Sequence, residues 1–302
     1  MNVSEMNEKS LPWASLACLV PEKLKASVDQ RLGFFSIALA IGSLGNQLEG
    51  MKIFPLLFVS LCTFLSLPGA PKTPPKAFLD GMSGPGWVTL GEKDFAQVNC
   101  DPETFQFKAD GTMHCTGKPS GGLRSQKVYK NFEMVLEWKH LRFAGNAGIF
   151  IWCPRAVLDK LPRGRLPQGI EIQILDLGYE ENHLKNKGKH SNWFTSHGDV
   201  FPVGVGRMKA FTPEITYTAK DGTKYKVGKP NSARSFPTKR LSNGVGEWNH
   251  YYIRAINGEI RLWVNGEEVS GGYECKPSEG HLVMESEGAP IDYRGLRLRE
   301  LP

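Results

Sequence analysis

The sequence predicts an all-β chain folded as two packed antiparallel sheets. Three observations carry this. Apolar runs are short and turn-bounded, Asn-Gly and Asp-Gly dipeptides punctuate them, and helical periodicity is scarce. Composition agrees: 33 Gly and 20 Pro among 302 residues, 40% apolar and 23% charged, suit many strands joined by turns. The formal charge of +6 is spread along the chain rather than gathered in a basic arm, which argues against nucleic acid as a partner.

The strands can be taken in order. Phe105-Gln106-Phe107 runs into Asp110-Gly111, a hairpin signal, and Met113-His114-Cys115 follows. Residues 132–138 alternate, so Phe132, Met134, Leu136 and Trp138 are expected in a core, with Glu133, Val135, Glu137 and Lys139 on an open face. Further strands are expected over 147–152, 170–175, 251–255, 260–264, 282–285 and 291–299. Asn257-Gly258 and Asn265-Gly266 flank the run 260–264 and mark hairpins on both sides. The polar segment 179–246 is too long for an idle connection and reads as loops over one mouth of the sandwich.

The N-terminal part reads as targeting sequence. Met51-Lys52, an apolar run over 53–67 and Pro68-Gly69-Ala70 follow the order of a secretory signal, which points to a secreted or periplasmic protein without stable membrane insertion after cleavage. Residues 1–50 are then expected to be an over-extended reading frame, 51–70 the signal, 71–82 a linker and 83–302 one domain. The competing reading is a genuine extension with a membrane segment over 34–44. Cys100, Cys115, Cys153 and Cys275 lie in the domain; Cys100 and Cys115 are close enough in sequence to bridge neighbouring strands, the alternative being buried free thiols. No cysteine or histidine spacing indicates a metal site, and no cofactor is expected.

Chemistry is expected to centre on residues 169–176. Ile170, Ile172 and Ile174 fall on one strand face and Glu171 and Gln173 on the other; Asp176 joins them only if the strand bulges near Leu175. Laminarinase-type glucanases have a similar acid spacing across such a bulge, but Gln173 cannot ionise, so a two-carboxylate displacement is not established. The bland alternative is a half-exposed strand with a polar outer side. Glu137 and Lys139 are expected to point to the same kind of face as Glu171, or else to form a surface ion pair. Asn146 lies in the turn Gly145-Asn146-Ala147-Gly148. Trp152, Trp193, Trp248 and Trp263 are candidates for stacking on a sugar; Trp263 alternates as a core residue and Trp193 sits in the long segment. His197, Glu285 and Glu287 complete the titratable candidates. Lys185, Lys187 and Lys189 favour an anionic ligand or form a solvated loop.

Taken in order, Gly86-Trp87-Val88-Thr89-Leu90, the run 131–138, Gly145 through Phe150, residues 169–176, Gly246-Glu247-Trp248-Asn249, Leu262-Trp263-Val264-Asn265-Gly266 and Tyr293-Arg294-Gly295-Leu296-Arg297 resemble the secreted 3-keto-disaccharide hydrolase domain family. The resemblance implies a concanavalin A-like jelly roll and cleavage of glycosides oxidised to a ketone at C3, where the carbonyl acidifies the C2 hydrogen and permits elimination followed by hydration. For such a reaction the candidates are Glu171 or His197 as base, Gln173 or Lys139 near the enolate oxygen and Asp176 as acid or orienter, with Glu137, Lys139, Asn146, Trp193, Glu285 and Glu287 as candidates to contact the carbohydrate substrate; clustered carboxylates have the chemistry to hold a divalent ion there. Many members of that family carry Gln-Asp-His-Gly where this chain has Glu285-Ser286-Glu287-Gly288; if that His is catalytic in them, a different base, a different substrate or loss of activity is expected here. A lectin-like module binding glycans without turnover is the alternative.

Overall fold

The computed structural model describes residues 84–302; the expectations for residues 1–50, 51–70 and 71–82 concern segments outside that range. The described chain forms strands β1 (Trp87–Thr89), β2 (Phe95–Gln97), β3 (Phe105–Phe107), β4 (Met113–Cys115), β5 (Gly121–Tyr129), β6 (Phe132–His140), β7 (Asn146–Cys153), β8 (Gly169–Leu175), β9 (Val200–Val203), β10 (Arg207–Ala210), β11 (Glu214–Thr218), β12 (Lys224–Gly228), β13 (Asn249–Ile256), β14 (Glu259–Val264), β15 (Glu267–Lys276), β16 (Gly280–Ser286) and β17 (Ile291–Glu300). Two α-helices interrupt them, α1 (Arg155–Leu158) and α2 (Leu177–Lys187).

The strands assemble into a jelly-roll sandwich. One sheet runs β10-β15-β14-β13-β6-β17-β4-β3 with β1 added on β17; the other runs β2-β5-β16-β7-β8-β9, and β11-β12 is a separate hairpin. Strand alternation fills the space between the sheets. Phe132, Met134, Leu136 and Trp138 from β6 join one buried cluster with Ile149 and Ile151 of β7, Ile170, Ile172 and Ile174 of β8, and Leu282 and Met284 of β16. Each such side chain, removed from water, contributes roughly 1.5–3 kcal/mol. The hairpin dipeptides do as expected: Asn257 (φ 51°) with Gly258 (φ 75°) and Asn265 (φ 47°) with Gly266 (φ 97°) supply the paired positive φ values that match a tight turn to strand twist.

Four expectations need correction. The outer face of β6 is not open, because Val135 packs with Tyr252 and Trp263 under Trp87, and Glu133 is buried beside the Tyr252 hydroxyl (2.7 Å). Trp263 is therefore buried on the outer face of the large sheet, opposite Ile260, Leu262 and Val264; it does not belong to the central core, and its pairing with β15 shifts register between Leu262 and Trp263. The segment 179–246 contains helix α2 and strands β9 to β12 as well as loops. Cys100 and Cys115, together with Cys153 and Cys275, are free thiols rather than a cross-strand bridge. Among the described residues no helix is long and apolar enough to cross a membrane.

Candidate active site

With its isoleucines turned inward, β8 presents Glu171 and Gln173 on the outer face of the six-stranded sheet. Its neighbour β7 pairs Phe150 with Glu171 and Gly148 with Gln173, and on the far side of β7 strand β16 turns Leu282 and Met284 inward, which sends Glu285 to the same face as Glu171. Gly148 lies between the two acids. A Cβ placed on it would stand 2.8 Å from Glu285 Oε2 and 2.9 Å from Glu171 Oε1, so the two carboxyls converge over a position where any side chain would displace one of them.

A hydrogen-bonded chain crosses the same face. Arg234 donates from Nε to Asp199 (2.6 Å) and from Nη2 to Gln173 Oε1 (2.6 Å); Gln173 Nε2 donates to Asn146 Oδ1 (2.9 Å), and Asn146 Nδ2 donates to Glu287. Asp199 is held in turn by the Thr195 backbone N–H (3.0 Å) and hydroxyl. The Arg234 guanidinium also lies 3.7 Å from the Phe201 ring centroid and 5.7 Å from that of Trp193. Each amide thus accepts on one side and donates on the other, which fixes its orientation.

Burial governs the charges. It pushes the Glu171 carboxyl up to about 8, against the pull of Arg234 and with added repulsion from Glu287 and Asp199. Glu285 is fully buried, neither of its oxygens has a hydrogen-bond partner among the described residues, and burial with the nearby Glu171 and Glu287 raises it well above the carboxylate range. Glu287 is raised by burial too, with its Asn146 hydrogen bond opposing. The site therefore holds two neighbouring carboxyls, Glu171 and Glu285, both raised above the ordinary carboxylate value by burial and by proximity to further acids.

The structure brings Glu171, Gln173, Asn146, Glu285 and Glu287 together, with Trp193, 61% exposed, standing over Arg234 at the rim. It takes five other candidates elsewhere. The bulge expected near Leu175 does not form: β7 and β8 keep register from Asn146↔Leu175 to Ile151↔Ile170. Asp176 instead caps α2, accepting from the N–H groups of Gly178 (2.9 Å) and Ala144 (2.8 Å). His197 is buried against Trp138 (ring centroids 6.0 Å apart), and burial drives its pKa well below the usual histidine value. Glu137 and Lys139 lie on the outer face of the other sheet, Glu137 forked to Arg294 (2.7 and 3.0 Å) and Lys139 over Trp248 (4.7 Å). They share a strand parity with Glu171 but not a sheet. Trp152 is buried and donates to the Lys130 carbonyl (3.0 Å). Sequence reasoning missed Arg234, Asp199 and the role of Gly148. Arg234 and Asp199 sit in loops of the long segment, where no periodicity announces a partner.

The 3-keto-α-glucoside-1,2-lyase-like domain family matches residues 74–299. The chain belongs to this family. It is a member of a carbohydrate-active, lyase-like group, and that membership rests on three-quarters of its length. No curated protein matches it. Among solved structures it is similar to two provisionally assigned glycosyl hydrolases of Parabacteroides distasonis ATCC 8503, both 18% identical: one at TM-score 0.42 over 72% of this chain and 89% of the other, one at 0.46 over 71% and 99%. The carbohydrate-binding module CBM66 of Bacillus subtilis aligns at 10% identity and TM-score 0.41 over 68% and 96%. Such distant likenesses carry nothing about activity.

For this family member, the arrangement offers a proton acceptor, a proton donor and a fixed cation on one sheet face. Among the described residues no three His, Cys, Asp or Glu side chains are grouped to hold a metal ion.

Proposed function

We propose that the protein cleaves 3-keto-glycosides by elimination across C1–C2 followed by hydration. The observation that carries this reading is the convergence of Glu171 and Glu285 over Gly148, both carboxyls raised by burial. Ionised Glu171 takes the C2 proton; the electron pair forms an enolate on the C3 oxygen, for which the Arg234 guanidinium is the nearest fixed cation of the network. Collapse of the enolate makes the C1–C2 double bond and breaks the bond from C1 to the glycosidic oxygen, which leaves with the proton of Glu285. Water then adds at C1, its proton returning to Glu285 while C2 recovers a proton from Glu171. The sum is hydrolysis with both acids restored.

Gln173 and Asn146 orient rather than react, since both amides are engaged at each end. The reading includes export, on the strength of the basic start, apolar core and small residues over 51–70. The test is to incubate the protein with a 3-keto-glucoside carrying a chromogenic aglycone in deuterium oxide. Aglycone release with deuterium at C2 of the product is expected, and both vanish in Glu171→Gln while sugar binding persists. Release with neither C2 exchange nor a primary isotope effect for the C2-deuterated substrate would overturn the elimination, and binding without release in the wild type would make the domain a lectin.

A further inference from the structure

Away from the acids, a pocket of about 360 Å³ opens between helix α2 and the β11–β12 hairpin. That volume lies at the lower end of the roughly 300–1,000 Å³ common for small-molecule sites. Its walls combine two chemistries. Leu177 and Leu184 supply an apolar side, while Arg240 and Glu180 face each other as a forked ion pair whose charges cancel. The Ser242 hydroxyl in the wall is buried with no hydrogen-bond partner among the described residues, and Tyr225 lies beside it, stacked at 3.8 Å on His190. An apolar wall facing hydroxyls and a planar donor fork suits a sugar ring, whose two sides differ in the same way.

The rim is charged. Lys220 lines the pocket on the hairpin side, Lys224 follows it, and Lys185, Lys187 and Lys189 ring the helix C-terminus next to His190. All five are exposed, and none enters an ion pair among the described residues, whereas neighbouring Lys226 is tied to Glu214 (3.0 Å). Glu181 also lines the pocket but is outnumbered. The lysine run that stands out in the sequence thus follows the part of α2 that walls the pocket, while Lys220 and Lys224 belong to the hairpin that forms the other wall.

We propose that this pocket is a second carbohydrate-binding site, specific for an acidic saccharide such as a uronate-bearing chain. The neutral interior takes the ring and the lysines take its carboxylates. This stands apart from the reaction at Glu171, because none of the pocket residues belongs to the acid cluster. Calorimetric titration of the whole protein with trigalacturonate, with maltotriose as the neutral counterpart, tests it. Binding of trigalacturonate at least tenfold tighter than maltotriose is expected, falling at least tenfold in Lys189→Glu/Lys220→Glu and in Leu184→Trp, which fills the cavity. Turnover of a 3-keto-glucoside should be unchanged in these variants. A control pair, Lys108→Glu/Lys160→Glu, should bind as the wild type does. The proposal is overturned if the control pair loses as much affinity, if Leu184→Trp loses none, or if duplex DNA or phosphatidylglycerol vesicles compete equally well, which would mark a general basic surface.

Discussion

Glu171 and Glu285, on strands separated by β7, reach to within 2.9 and 2.8 Å of the same point above Gly148. A methyl group there must push at least one carboxyl aside. Gly148→Ala is therefore expected to lower kcat/KM by roughly 100-fold, the loss typical of a displacement near 1 Å, with the far-UV circular dichroism unchanged. Activity within a few-fold of wild type would show that the convergence is not used.

The raised pKa of Glu171 gives two linked expectations. As a base it works ionised, so kcat/KM should rise with pH through about 8 and lose that limb in Glu171→Gln. Stability runs the other way. A carboxyl raised from 4.5 to about 8 binds its proton more tightly when folded, so its stabilising contribution is full below 4.5 and is lost as pH rises through 8. Glu171→Gln should thus gain thermal stability over the wild type at alkaline pH and little at acid pH, measured by calorimetry.

Arg234 connects buried Asp199 to Gln173. Its removal in Arg234→Ala leaves Asp199 as an uncompensated buried charge, at about 3–5 kcal/mol by denaturant titration. The rising limb of the rate profile should also move to higher pH, because the cation opposing the rise at Glu171 is gone. Arg234→Lys should recover part of the stability but not the two-pronged contact.

Trp193 is the most exposed large aromatic of the described chain and meets the Phe194 ring edge-on beside Arg234. Trp193→Ala should leave the melting temperature unchanged and raise KM by about two- to tenfold, the equivalent of ~0.5–1.5 kcal/mol of stacking, with kcat nearly constant.

Asp176→Ala separates capping from chemistry. Loss of the cap on the Gly178 N–H at the start of α2 and of the tie to the Ala144 N–H before β7 should cost about 1 kcal/mol of stability, and kcat should stay within a few-fold of wild type. A large fall in kcat at unchanged stability would return Asp176 to the site.

These cases mark where the chain is legible. Glu171, Gln173 and the inward isoleucines follow from period-two alternation, and Asn257-Gly258 and Asn265-Gly266 from the φ values a tight turn demands. Asp176 carried a readable alternative, since an Asp before an eleven-residue helix ending in Lys185, Lys187 and Gly188 has capping residues at both ends. Glu137 and Glu171 could not be told apart by parity alone, because alternation fixes which side of a strand a residue takes and leaves open which sheet the strand joins. Arg234 and Asp199 meet only through the bridge of Val200 with Ser235, a long-range pairing without local signature.

The acids, Gly148 and Gln173 rest on three adjacent strands whose hydrogen bonds would have to break before they could separate. The cation opposite them does not. Arg234 hangs from the loop before Ser235, and its anchor Asp199 from the loop that Glu180 of α2 secures through the Ser196 backbone N–H (3.0 Å) and hydroxyl (2.5 Å). Floor and ceiling of the site thus have different mechanical character. Under the proposed reaction, any opening that admits a bulky glycoside or releases its fragments is made by the ceiling, so its rate is open to tuning from the loop that carries Asp199 rather than from the sheet.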